Sequence, residues 1–208
     1  MENKNNFKLK LIPISLFILF IIIGTLVYTV PQVTAWDIKI IEFLQKTFSF
    51  VSVNCLAEIS SIRHNYCSLL ILLITFYLVE KKDYRLAIIY LVCNITCNDI
   101  TAFVKNIFQR HRPPIELQPF YHPNDYSFPS GHSFGIMLLF GIIIYIIFKY
   151  VKNNILKYGL SLICTMIIIS VGLSRNLLGV HYPTDVIAGF TLGALIISFI
   201  YLIDRKTW

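Results

Sequence analysis

Ser174-Arg175-Asn176-Leu177-Leu178-Gly179-Val180-His181-Tyr182-Pro183-Thr184-Asp185 joins two strongly apolar segments, 156–174 and 184–203. A chain that leaves a bilayer as one helix and re-enters it as the next must turn in such a stretch, so the pattern argues for a polytopic membrane protein. A turn of this kind needs no charge, yet this one carries Arg175, His181 and Asp185. A guanidinium suits a phosphate because its planar fork of donors grips two oxygens at once. A neutral imidazole is a nucleophile near neutral pH, and a carboxylate beside it fixes the tautomer and steadies the cation that forms. Anion clamp, nucleophile and orienting acid in one short turn point to phosphate-ester chemistry.

Composition supports the membrane reading. Of 208 residues, 56% are hydrophobic and 14% charged, and the mean hydropathy is +0.69. A soluble domain of this size cannot hide so much apolar surface, whereas a polytopic protein shows it to lipid. The net charge of +7 does not indicate nucleic acid, because no basic stripe with interleaved aromatics accompanies it. Cys55, Cys67, Cys93, Cys97 and Cys164 form no zinc-like pattern. Cys93 and Cys97 sit one helical turn apart in an apolar segment, which fits buried packing.

Six apolar segments of about bilayer-spanning length are read near 11–30, 65–80, 85–107, 132–149, 156–174 and 184–203. The first follows Lys4, Lys8 and Lys10 but is long and lacks a small-residue cleavage site, so it is expected to be retained. Residues 36–60 mix Trp36, Asp37, Lys39, Glu42 and Lys46 with apolar side chains, which suggests one amphipathic helix at the interface, packing as a lid without chemistry. Lys81, Lys82, Arg85, Lys149, Lys152, Lys157, Arg205 and Lys206 fall on the same side as the N-terminal lysines. The positive-inside rule makes that side cytoplasmic and leaves both termini there. In the third segment Asn94, Thr96, Asn98 and Asp99 interrupt the apolar run. Charge at membrane depth costs about 2.5–3.5 kcal/mol on insertion scales, so Asp99 is expected to bond to a neighbouring helix or cation.

Two further polar clusters share the opposite face. Lys105-Asn106-Ile107-Phe108-Gln109-Arg110-His111-Arg112-Pro113 ends the third segment with cations, and Pro113 stops the helix. Pro129-Ser130-Gly131-His132 opens the fourth. There a helix start offers free N–H groups to an anion, and Gly131 permits close approach. The loop 114–128, rich in proline and aromatics, is expected to rim the site; Tyr121, His122, Asp125 and Tyr126 read as exposed loop polarity, with contact to a headgroup as the alternative.

Lys105, six residues, Arg112-Pro113; then Pro129-Ser130-Gly131-His132; then Ser174-Arg175, five residues, His181, three residues, Asp185 resembles the type 2 phosphatidic acid phosphatase (PAP2) family. The resemblance spans 105–185. It implies an all-α fold, with six transmembrane helices bundled as one domain over 1–208, an interfacial helix and extracytoplasmic active-site loops. It further implies that Lys105, Arg112, Ser130, Gly131 and Arg175 bind phosphate. His181 would be the nucleophile, Asp185 its partner, and His132 the acid that protonates the leaving oxygen. The implied substrate is a membrane lipid phosphate or diphosphate: undecaprenyl diphosphate, phosphatidylglycerol phosphate, phosphatidic acid or a lipid A phosphate. The implied setting is the outer face of a bacterial cytoplasmic membrane. No cofactor and no obligate protein partner are inferred. No carboxylate cluster suited to magnesium is visible in the sequence, so metal-independent turnover is expected. A lipid-linked phosphotransferase, a vanadate haloperoxidase and a non-enzymatic transport or lipid-binding protein are the rival readings.

Overall fold

The computed structural model describes residues 2–65, 67–119 and 122–205. Tyr121 of the expected rim and Lys206 of the basic face lie outside the described residues. The elements run α1 (Glu2–Thr29), α2 (Pro31–Thr47), α3 (Val53–Asn65), α4 (Cys67–Glu80) and α5 (Tyr84–Phe108), then a 3-10 turn at Ile115–Leu117, then α6 (Gly131–Tyr150), α7 (Asn154–Leu177) and α8 (Pro183–Arg205). No strand occurs among the described residues.

Local chemistry sets the helix ends. Pro31 and Pro183 open α2 and α8, where a missing N–H costs nothing. Asp83, Ser130 and Asn153 cap α5, α6 and α7, each accepting a hydrogen bond from the backbone N–H three residues on. Helix α5 ends where Gln109 turns left-handed at φ 45°.

Six stretches are long and apolar enough to cross a membrane: Leu9–Thr29, Val53–Glu80, Tyr84–Phe108, Gly131–Tyr150, Asn154–Leu177 and Pro183–Asp204. Five match the expected segments. The second begins at Val53 rather than near 65, so residues 36–60 are not one amphipathic helix. Polar residues such as Asn54, Glu58 and Ser60 dilute the apolar run of α3 and disguised it as interfacial sequence. Ser60 in fact turns inward and is buried. Asp99 also differs from expectation: it is exposed, with no helix–helix bond or ion pair among the described residues. No disulfide joins any of the five cysteines among the described residues.

Helix α6 is the axis of the bundle. In its spanning window 67% of residues are buried, against 17% in α1 and 22% in α7, whose apolar side chains remain available to lipid. Small residues let α8 press against it: a Cβ on Gly189 would lie 2.6 Å from the Ser130 carbonyl oxygen. The same approach lets the Ser130 N–H donate to the Asp185 carbonyl at 3.0 Å, locking the start of α6 to the start of α8. At Gly179 the turn runs at φ +63°, and a Cβ there would collide with the Leu117 carbonyl. Gln45 of α2 braces this corner, donating to the carbonyls of Leu117 at 2.8 Å and Leu177 at 3.0 Å.

The alternation of spans brings the C-terminal ends of α5 and α7 and the N-terminal ends of α6 and α8 to one end of the bundle. At the other end, Lys149 pairs with Asp83 (2.8 Å) and Asp204 (2.6 Å). Tyr150 donates to Asp83 at 2.6 Å, and the Tyr145 hydroxyl donates to Asp204. This cluster ties together the chain segments that start α5 and end α6 and α8.

Candidate active site

The three polar clusters, far apart in sequence, meet around one cavity of about 330 Å³. Lys105 comes from the last turn of α5, Gly131 and His132 from the first turn of α6, and Arg175 from the last turn of α7. Arg112 and His181 reach it from the connecting segments. Of the predicted residues, Ser130 and Asp185 stand behind the wall rather than in it, both fully buried. The Ser130 Oγ caps α6, accepting from Ser133 N (3.4 Å) and the Ser133 hydroxyl (3.0 Å).

His181 is 1% exposed. Its Nε2 lies 3.3 Å from Arg112 Nη1, and its Nδ1 faces Asp185 Oδ2 at 3.5 Å. The second distance is too long for a good hydrogen bond, and among the described residues Nδ1 has no hydrogen-bond partner. A guanidinium can only donate, so Nε2 must carry the lone pair and Nδ1 the proton. Burial first, then the charges of Arg112, Arg175 and Lys105, hold the His181 pKa well below the ordinary histidine value. Burial and these cations favour the neutral imidazole, with its lone pair toward the Arg112 guanidinium.

Asp185 is held on every side. Its Oδ2 accepts from Tyr182 N at 2.9 Å and from the Ser127 hydroxyl, while its Oδ1 accepts from Arg110 Nη1 at 2.6 Å. Arg175 donates to the hydroxyl of Ser60, so α3 supports this wall of the cavity. Arg112 donates to the Val180 carbonyl as well as to His181, which fixes the guanidinium against the turn.

Sequence reasoning passed over three contributors. Asp125 was read as loop polarity, yet its two carboxylate oxygens pair with Lys105 and with Arg112 (2.6 Å). Those two bonds outweigh the upward push of burial and hold its pKa at about 2. Arg110, quoted within the first cluster but given no role, is 9% exposed and bonds both Asp185 and Asp37. Asp37, on the helix expected to be an inert lid, is 2% exposed. Burial pushes its carboxyl up, against the pull of Thr184 and Arg110. The one sequence signal for it was an acidic residue beside Trp36 at the start of an amphipathic helix.

Comparison with known proteins agrees with this geometry. A model of the PAP2 superfamily matches residues 86–208. Phosphatidylglycerophosphatase B of Bacillus subtilis (strain 168) is 30% identical over 203 residues, covering 93% of this chain and 95% of that protein. The bacitracin transport permease protein BcrC of Bacillus licheniformis is 30% identical over 134 residues, covering 62% of this chain and 61% of that protein. The crystal structure of the first transmembrane PAP2 type phosphatidylglycerolphosphate phosphatase from Bacillus subtilis superposes with a TM-score of 0.78 at 28% identity, over 93% of this chain and 96% of that chain. With six candidate spans, a family match over more than half its length and a near-full-length relative, the chain belongs to the PAP2 superfamily as a multi-pass membrane phosphatase.

Proposed function

We propose that this protein hydrolyses a membrane lipid phosphate or diphosphate without a metal, through a phosphohistidine on His181, at the outer face of a bacterial cytoplasmic membrane. The observation that carries the reading is the buried neutral imidazole whose Nε2 faces Arg112 on the wall of a cavity also lined by Lys105, Arg175 and His132. Nε2 attacks phosphorus as the bond to the leaving oxygen breaks, and His132 gives that oxygen its proton. The positive charge that develops on the ring is steadied by Asp185, across 3.5 Å from Nδ1. Lys105, Arg112, Arg175 and the backbone at Gly131 take up the charge of the transferring phosphoryl group. Water then attacks phosphorus, its proton passes to His132, the P–N bond breaks and inorganic phosphate leaves. Ser130 acts by capping α6 and so aiming the amide of Gly131 and the ring of His132.

Basic residues at the end opposite the cavity, including Lys81, Lys82, Lys149 and Lys152, support a cytoplasmic position for that end and for both termini. The near-full-length relative named for phosphatidylglycerophosphate makes phosphatidylglycerol phosphate the first substrate to assay. The test is a panel of lipid phosphates and diphosphates presented in EDTA to detergent-solubilised protein, with His181→Ala as control. Phosphate release by the wild-type chain alone supports the reading. Equal background release from both chains, or release only after a divalent metal is restored, counts against it.

A further inference from the structure

Behind His181, two buried carboxylates share one guanidinium. Arg110 gives Nη1 to Asp185 Oδ1 at 2.6 Å and Nη2 to Asp37 Oδ2 at 2.8 Å, and its Cζ stands 3.9 Å from the Tyr182 ring centroid. Thr184 closes the circuit. Its N–H donates to Asp37 Oδ1 at 3.2 Å and its hydroxyl to Asp37 Oδ2 at 2.5 Å, while its Oγ1 accepts from Arg110 Nη1 at 2.8 Å. Arg110 Nη2 also reaches Thr34, 3.2 Å away on the same helix as Asp37.

Buried ion pairs add little net stability over apolar packing of the same volume, because desolvation offsets their attraction. A triad at this place therefore needs another reason, and its charge supplies one. Arg110 and Asp185 alone would form a neutral pair, leaving little negative charge to face the imidazole. Asp37 brings the trio to a net charge of −1. That matters because the other charged groups facing His181 are mostly cations: Lys105 from α5, Arg175 from α7 and Arg112 from the connecting segment, with Asp125 and the titratable His132 across the cavity. A positive imidazole forms among these only if Asp185 remains an effective anion.

We propose that Asp37 is a positioning residue for the nucleophile: through Arg110 it fixes the Asp185 carboxylate and preserves its negative charge toward His181 Nδ1, which makes α2 part of the catalytic apparatus. The proposal rests on the reading of His181 as the phosphoryl acceptor.

The test compares wild type with Asp37→Asn, Asp37→Glu, Asp185→Asn and the Asp37→Asn/Asp185→Asn double variant, as full-length chains in detergent. The substrate is phosphatidylglycerol phosphate in EDTA. Asp37→Asn is expected to lower kcat by about ten- to a hundredfold, the scale known for residues that orient ligands at metal sites, with KM nearly unchanged. The acid limb of its pH profile should move to lower pH, and Asp37→Glu should recover part of the rate. The double variant should be no slower than Asp185→Asn, because both substitutions act through one carboxylate.

Nitrogen-15 NMR of labelled histidines, with His181 assigned by its loss in His181→Ala, reads the same link without turnover. Asp37→Asn should convert a signal dominated by the Nδ1–H tautomer into a mixture. That change in Asp37→Asn, found together with a wild-type chain that releases no phosphate, would keep the positioning role and remove the proposed reaction. An unchanged His181 signal with kcat within twofold of wild type would overturn the proposal. If Asp37→Asn does not fold, Thr184→Val keeps the carboxylate but removes its hydroxyl partner. Unaltered kcat and tautomer in that variant would overturn it equally.

Discussion

Asp125 Oδ1 lies 2.6 Å from Arg112 Nη2, while the other oxygen of the same carboxylate meets Lys105. The loop thus sets an internal anion on two of the cations proposed to receive phosphate. Asp125→Asn is expected to lower KM, and the inhibition constant for inorganic phosphate, by about two- to fivefold, the worth of one partly exposed ion pair. Because the Asp125 carboxyl is held at about 2, the competition should not vary with pH above about 4. Initial rates with added phosphate check this; higher KM in the variant would make Asp125 a ligand-binding residue instead.

On the proposed mechanism the pH–rate profile should carry the signature of two histidines in opposite charge states. As the proposed nucleophile His181 must be neutral, and burial with Arg112, Arg175 and Lys105 pulls its pKa below the ordinary value. Loss of activity on acidification is therefore expected well below pH 6.5, the usual histidine midpoint. The alkaline limb is expected to follow the proton that the proposed acid, His132, would supply. Measured kcat/KM from pH 4 to 10 gives both limbs. An acid limb at or above the ordinary histidine midpoint would contradict the neutral, cation-flanked imidazole.

Far from the cavity, the cluster of Asp83, Lys149 and Asp204 is expected to affect stability rather than chemistry. Lys149→Met takes away the cation both carboxylates share, at a cost of about 3 kcal/mol, the low end for breaking a buried pair. Asp83, outside the spans, has its carboxyl pushed up by burial but held below its ordinary range by Lys149 and Tyr150. A depressed carboxylate stabilises the fold above its unfolded pKa of about 3.9, and that contribution fades as pH falls further. Thermal melts in detergent should show an acid-side loss of Tm in the wild type that Lys149→Met flattens, with kcat preserved at low temperature. A parallel loss of kcat would show that this end communicates with the cavity.

How much of this was legible in the sequence depended on whether the signal was local. Apolar runs of bilayer length located five spans, because lipid exposure leaves little choice of residue on α1 and α7. The second span was cut short because α3 carries polar residues that turn inward, such as Ser60 toward Arg175. Motif spacing put Lys105, Arg112, Gly131, His132, Arg175 and His181 around one cavity. It could not show that Ser130 faces away from the cavity into a helix cap. Asp37 and Arg110 escaped notice because their meeting depends on how α2 folds back over the α7–α8 turn, a relationship no run of neighbouring residues encodes.

The most direct measurement uses substrate labelled with phosphorus-32 in the transferable phosphate, mixed with the protein and quenched in alkali within milliseconds. The wild-type chain should retain an alkali-stable, acid-labile label on His181, reduced in amount but not relocated by Asp185→Asn, and His181→Ala should retain none. Label persisting in His181→Ala, or turnover by that variant at the wild-type rate, would take the nucleophile away from the residue on which the three clusters converge.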